Sequence, residues 1–417
     1  MMSRIALPWA AWNGDRTLQL ADHMNWRIKT YAMQDADECE EDELADALEN
    51  PIGTPGLAEL VSGANRIAIA VDDLSRPTPT AQVLELVFAE LDNAGVPHDK
   101  IDIIISLGTH TALGEEQLRK KLGDTIVDTI RISNHDCNAA LKAAGVHVGK
   151  TEVQLNKHFL AADFRILIGS VVPHHFAGFS GGAKMVLPGL SNLDAIAWTH
   201  KAVMMGLRGK PGTLENNRFR AEFERVARHI GIDFCVNVVV NSRREIAGLF
   251  AGDLIEAHRK AAEFASETYA TVTPRNLDVA IFNCYPKDTE LLQAENAFMY
   301  LHTAGEALVK EGGTIIVTTA CSEGMGRHGL FEPENGVLYR KPMPKRFLKD
   351  RRVIFYSPGV ERDEFYQIYY DSYHFANNWN DVNELLREWY PDGCDVGVFP
   401  TASIQIAGEI PSKEGTT

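Results

Sequence analysis

The chain of 417 residues is short of cysteine and of basic charge. Its six cysteines stand alone, at positions 39, 137, 235, 284, 321 and 394, and no two form a CxxC pair. That spacing speaks against a zinc knuckle and against a disulfide framework. Lys and Arg number 41 against 57 Asp and Glu, a formal net charge of −16. Nucleic-acid binders usually carry a basic excess, so that partner class is not expected. No apolar run is long enough to span a bilayer. Met1–Pro8 lacks the long apolar stretch and small-residue cleavage site of a secretory leader. There is no internal repeat and no low-complexity linker. These absences predict a reduced, cytoplasmic, soluble protein with no membrane partner.

What is present is an α/β rhythm. At this length two domains are the natural expectation, and 45% hydrophobic residues allow a core in each. The opening residues, through Trp12 and Gly14, read as a short hairpin or edge strand. The acidic run Asp35 to Glu43 reads as a solvated entry to a helix. Arg66–Val71 is an apolar, β-rich run with the length of a buried parallel strand. It ends in Asp72-Asp73-Leu74-Ser75-Arg76-Pro77-Thr78-Pro79, and helical spacing follows over 81–94. Ile101–Leu107 repeats the pattern and ends in Gly108-Thr109-His110. A third apolar stretch, Thr125–Ile132, precedes Asn134-His135-Asp136. Arg165–Val172 is a further strand. A plausible boundary lies at 271–276, where a second run of strands and helices begins at Leu277. The expected architecture is two domains, 1–272 and 273–417. Each is expected to hold a mainly parallel sheet flanked by helices, with the active site in the cleft between them. Residues 322–350 read as a long irregular loop whose Arg327, His328, Arg340 and Lys341 are candidates for recognising a larger or more acidic substrate.

The strongest functional signal is Val171-Val172-Pro173-His174-His175-Phe176-Ala177-Gly178-Phe179-Ser180-Gly181-Gly182-Ala183-Lys184. A strand feeds two histidines, a small-residue turn and one lysine, and His200 follows sixteen residues later. Glycines let a ligand approach the backbone. In open α/β sheets ligands sit beyond the carboxyl ends of strands. Three strands therefore deliver Asp72, Asp73 and Arg76, then His110, then His174 to one sheet edge.

These motifs together resemble the nickel-pincer lactate racemase family, strongly from about residue 50 to 205 and more weakly over 277–296. The resemblance implies a pyridinium-3-thioamide-5-thiocarboxylic acid mononucleotide carrying nickel, attached at Lys184, with His200 as the one protein ligand to the metal. Maturation proteins that build this cofactor are implied partners. Ser75, Thr78, Ser180, Gly181 and Gly182 are the candidates for its phosphate, since exposed backbone N–H groups cradle phosphate. The implied reaction is racemisation or epimerisation of a 2-hydroxy acid by reversible hydride transfer to the pyridinium. The hydroxyl must lose its proton as the hydride leaves, and histidine has the pKa for that work. Return of hydride to the other face requires a second such group, so His110 and His174 are assigned the two acid–base roles. Asp73 is the expected orienting acid. Arg76 offers a fork for the substrate carboxylate, and Gln293 matches a family glutamine that contacts substrate.

The substrate wall departs from the family pattern. Asn296 stands where lactate-active members carry a lysine, Leu292 replaces a tyrosine, and Thr111 follows His110 in place of an arginine. A substrate other than lactate is expected, and Lys287 is a candidate replacement charge. Two other readings compete. A zinc-dependent hydrolase would need three protein ligands and a water-activating carboxylate. A non-catalytic cofactor or metabolite binder would be consistent with the loss of the lysine.

Overall fold

The computed structural model describes residues 4–14, 16–21, 25–332 and 336–409. Its contacts divide the chain into two compact units. The first holds residues 37–265 and 327–340; the second holds 1–36, 266–326 and 341–417. The split is less simple than a single boundary at 272/273. The reason is strand pairing: Arg27–Thr30 adds to the edge of the second unit's sheet beside Asp395–Phe399. Ahead of it, Arg4–Trp9 and Arg16–Ala21 form the expected antiparallel hairpin. The backbone N–H groups of Ala10 and Ala11 donate to the buried Asp288 carboxylate at 2.8 and 3.1 Å, which holds the hairpin's end in that unit.

The sheet of the first unit has six strands. Their order is Ile246–Gly252, Phe234–Val240, Phe164–Ser170, Ile67–Val71, Ile101–Ile105 and Arg131–Asn134. All pair in parallel except the first, which runs antiparallel to its neighbour. Ile67–Val71, expected as a buried parallel strand, lies inside the sheet, and every residue of it is buried. A continuous apolar run is what burial on both faces demands. Asp102 is the polar exception in the next strand. It is offset by Arg66 at 3.3 Å and Arg131 at 2.6 Å. The Thr125–Ile132 stretch divides, with a helix over Asp124–Thr129 and only Arg131–Asn134 in the sheet.

The chain builds outward from Ile67–Val71 in one direction, then returns to its other side with Phe164–Ser170. This reversal is the topological switch point where open sheets hold ligands. Asp72, Asp73, Ser106–His110 and Val171–His174 all follow the carboxyl ends of these three adjacent strands.

The second unit has a six-stranded, all-parallel sheet. Its order is His374–Ala376, Arg352–Tyr356, Val309–Thr318, Leu277–Asn283, Asp395–Phe399 and Arg27–Thr30. A late helix runs Trp379–Trp389 and packs both tryptophans against a core on one face of this sheet. No helix among the described residues is long and apolar enough to cross a membrane.

Candidate active site

Beyond those strand ends lies a pocket. Asp72, Asp73, Arg76, His110, Ser180, Gly181, Lys184 and His200 line it, joined by Thr109 and His328. All belong to the first unit.

The two aspartates have different work. Asp73 Oδ2 lies 2.6 Å from His110 Nδ1. A carboxylate there fixes the proton on Nδ1 and leaves Nε2 with its lone pair, the form of a general base. Asp73 Oδ1 accepts from the Ser75 hydroxyl and from the Ser75 N–H, the latter at 2.9 Å. Burial alone would push the Asp73 carboxyl up. Facing His110, Arg76 and Ser75 outweigh burial and hold it well below the usual carboxylate range. Asp72 turns the other way. Its Oδ1 meets Lys121 Nζ at 2.6 Å, and its Oδ2 accepts from Thr78 Oγ1 at 2.5 Å and from Ser170 N–H at 3.2 Å. Lys121 is wholly buried. The ion pair ties the loop after Ile67–Val71 to the helix Glu115–Leu122, and the Ser170 bond ties it to the neighbouring strand.

Arg76 donates from Nη1 to Ser75 O at 3.2 Å and to Ser75 Oγ at 3.1 Å. Nη2 and Nε have no hydrogen-bond partner among the described residues, so the other edge of the fork remains available to a ligand.

Gly178 makes the turn after His174 possible. Its φ is +76°, and a Cβ there would sit 2.2 Å from the Thr213 carbonyl oxygen. The turn brings the N–H groups of Phe176 and Ala177 onto His174 Nδ1, at 3.2 and 3.1 Å. With Nδ1 accepting, the proton of the neutral ring sits on Nε2, which lies 3.1 Å from Lys184 Nζ. This hydrogen bond is complementary when the amine is uncharged, the form that acts as a nucleophile. His174 therefore is the histidine that faces the lysine.

Behind the Gly181-Gly182 step lie two buried side chains that the sequence did not single out. His258 Nε2 donates to Ser180 O at 2.8 Å, and Arg220 Nη1 donates to Phe179 O at 3.1 Å and Gly181 O at 3.4 Å. A trans peptide points its N–H opposite to its C=O. The N–H groups of Gly181 and Gly182 therefore point away from His258 and Arg220. A Cβ on Gly182 would come within 2.9 Å of His258. This is a backbone cradle of the kind that suits a phosphate.

The hydroxyls expected to share that role are otherwise engaged. Thr78 is buried between Asp72 and the Ser170 N–H. Ser180 Oγ accepts from Val172 N–H at 3.0 Å and donates to Ser170 O at 2.6 Å. Ser75 serves Asp73. Their placement shapes the pocket from behind, because each is saturated by a nearer backbone or carboxylate partner.

His200 is on the helix Leu193–Met204. Its Nδ1 donates to Ile196 O at 3.0 Å, one turn back, which leaves the Nε2 lone pair for a ligand. Burial, opposed by that carbonyl and aided by nearby Lys184 and His110, pushes its pKa down. A neutral, backbone-oriented imidazole is what metal ligation requires. These residues fit the implied cofactor: an amine for the tether, an amide cradle for its phosphate, and one imidazole for its metal. By contrast, no group of three His, Cys, Asp or Glu among the described residues is placed to hold a metal ion, as a hydrolytic zinc site would need.

Gln293 and Asn296 belong to the second unit, in the turns Leu291–Phe298. Asn296 Nδ2 donates to Gln293 Oε1 at 3.0 Å and to its backbone oxygen at 2.9 Å. Asn296 thus fixes which face of the Gln293 amide is presented. Lys287 is buried. His328, one of the four candidates in the irregular loop 322–350, is the one of them that lines the pocket. Thr109 Oγ1 lies 3.1 Å from its Nδ1, and its ring packs edge-on to those of His110 and His200. No periodicity marks a side chain that reaches its partners across so many residues.

Residues 13–210 match the lactate racemase N-terminal domain. The chain is 33% identical over 297 residues to a lactate racemase of Thermoanaerobacterium thermosaccharolyticum, covering 70% of this chain and 68% of that one. It is 32% identical over 298 residues to a lactate racemase of Lactiplantibacillus plantarum, covering 70% and 69%. The apoprotein structure of the T. thermosaccharolyticum enzyme matches 98% of this chain and 100% of its own, with a TM-score of 0.75 and 25% identity. A structure of a Thermotoga maritima protein shares the fold, with a TM-score of 0.68 at 20% identity over 89% of this chain.

Proposed function

Because the chain belongs to the lactate racemase family, we propose that it racemises or epimerises a 2-hydroxy acid other than lactate, using a nickel-pincer nucleotide tethered to Lys184. The observation that carries this reading is the meeting of Lys184, His200 and the Asp73–His110 pair in one pocket beside His174. When bound, the cofactor supplies an acceptor for the C2 hydrogen and its electron pair. His200 Nε2 offers the nickel its protein ligand. The Gly181 and Gly182 amides hold the phosphate, with Arg220 and His258 bracing the turn. Arg76 takes the substrate carboxylate on the open edge of its guanidinium.

His110, oriented by Asp73, removes the hydroxyl proton at Nε2 as C2 becomes a carbonyl. His174 is assigned the exchange for the opposite enantiomer, for which its ring must turn so that Nδ1 leaves the Phe176 and Ala177 N–H groups and offers its lone pair to the substrate. Each histidine that accepts a proton in one direction returns one in the other, so the cycle needs no net acid or base. Substrates other than lactate are favoured because Asn296, Leu292 and Thr111 replace residues of the lactate-active pattern.

The test is co-expression with nickel and the maturation proteins. Intact-mass analysis should find the adduct on Lys184, and chiral chromatography should find interconversion of an enantiopure 2-hydroxy acid. In heavy water the C2 hydrogen should be retained through racemisation. Rapid deuterium entry at C2, or a nickel-free, unmodified protein after maturation, contradicts the proposal.

A further inference from the structure

We propose that His328 binds a substrate oxygen beyond the C1 carboxylate and C2 hydroxyl, which makes the substrate a 2-hydroxy acid with a further hydroxyl at C3. This rests on the racemase reading of the same pocket. His328 Nδ1 is occupied: the Leu330 N–H donates to it at 3.4 Å and Thr109 Oγ1 lies 3.1 Å away. The Gly329 N–H to Thr109 O bond, 3.1 Å, ties the same two segments together. With Nδ1 accepting, the neutral ring carries its proton on Nε2. That nitrogen makes no hydrogen bond among the described residues, while the side chain lines the pocket. Its ring is held at 5.6 Å from His110, 5.4 Å from His200 and 4.8 Å from Phe331, centroid to centroid. The donor is thus fixed in orientation.

The other pocket groups already have matches. Arg76 suits the carboxylate, and His110 and His174 suit the C2 hydroxyl. Lys184 and His200 suit the cofactor. One oriented donor remains. A methyl group at C3, as in lactate, would leave that N–H without an acceptor in a pocket from which substrate displaces water. A site built around a hydrogen bond discriminates against the analogue that lacks it. A C3 hydroxyl oxygen accepts this bond, and a neutral donor suits a neutral acceptor.

The test uses the matured holoenzyme with two substrates, 2-hydroxybutyrate, which has no C3 hydroxyl, and a 2,3-dihydroxy acid such as glycerate. Three proteins are compared: the natural chain, His328→Phe and His328→Gln. Phenylalanine keeps the ring packing and removes the donor; the Gln amide keeps a donor at similar reach. The expected result is a roughly tenfold loss of kcat/KM on glycerate for His328→Phe, mostly in KM. The change on 2-hydroxybutyrate should be less than twofold, and His328→Gln should recover most of the glycerate loss. Nickel content and adduct mass should be unchanged in both variants. An equal loss on the two substrates, or a loss of nickel, overturns the proposal by assigning His328 to the cofactor or to packing. Failure of the natural chain to racemise any 2-hydroxy acid refutes the function itself and is read separately.

Discussion

Asp73 shows how one side chain joins stability to chemistry. Its folded carboxyl titrates far below the unfolded one because of His110, Arg76 and Ser75. A depressed folded pKa contributes stability that is complete above the unfolded value, about 3.9. As pH falls below that, the unfolded chain takes up the proton first and the contribution is lost. Asp73→Asn should flatten this acid limb in denaturant unfolding between pH 5 and 2. It should also lower kcat roughly a hundredfold or more, since an amide no longer fixes the proton on His110 Nδ1. That His110 and Asp73 would come to one sheet edge was legible in sequence because each stands at the end of an apolar strand. His328 was named there as one of four loop candidates, but nothing in the sequence showed that it would meet Thr109, His110 and His200. Arg220 and His258 were hidden for another reason: each lies on an ordinary helical pattern, and only the fold shows which carbonyls they meet.

At the scale of elements, the turn after His174 and the loop after Ile67–Val71 carry the site. Gly178→Ala forces a Cβ against the Thr213 carbonyl at positive φ. It should cost about 2 kcal/mol or more in thermal or denaturant unfolding and displace His174. Gly206→Ala is the control, for it also has positive φ, at +91°, but nothing lies within 4 Å of its Cβ. It should lose only about 1 kcal/mol and keep activity. Lys121→Met removes one partner from a buried ion pair and should cost about 3–5 kcal/mol in denaturant unfolding. Adding Asp72→Leu should restore part of that loss, because no uncompensated charge then remains. Strand elements were readable where burial on both faces demands unbroken apolar runs. The hairpin Lys142–Val148 with Thr151–Leu155 was missed, since only four of its twelve residues are buried and its sequence is mixed.

For the molecule as a whole, histidine burial sets the response to mild acid. Burial pushes His135 down despite its bond to Ser191 O, and pushes His258 down further. Both are neutral in the folded chain and take up protons on unfolding near pH 6.5. Stability should therefore be full above that pH and fall as pH drops below it, by up to about 1.4 kcal/mol per pH unit for each such histidine. Chemical denaturation of the chain between pH 8 and 5 measures the slope; a flat profile contradicts it. The two-sheet α/β class was legible in the strand rhythm, but the path of the chain was not. Arg27–Thr30 is four residues, mostly exposed, and carries no apolar run that would mark it as part of a distant sheet.

That path bears on how the protein is made. Residues 327–340 belong to the first unit although they follow three strands' worth of the second. Leu330 and Leu338 pack on Cys137, Ile196 and Ala197, with Phe331 beside them. A ribosome that has released residues 37–265 has delivered every strand of the first sheet but not this cap. Until translation reaches the 330s, the greasy patch around Ile196 stays open to water, one turn from His200. The newborn protein is thus exposed to aggregation there for as long as the intervening sixty-odd residues take to emerge.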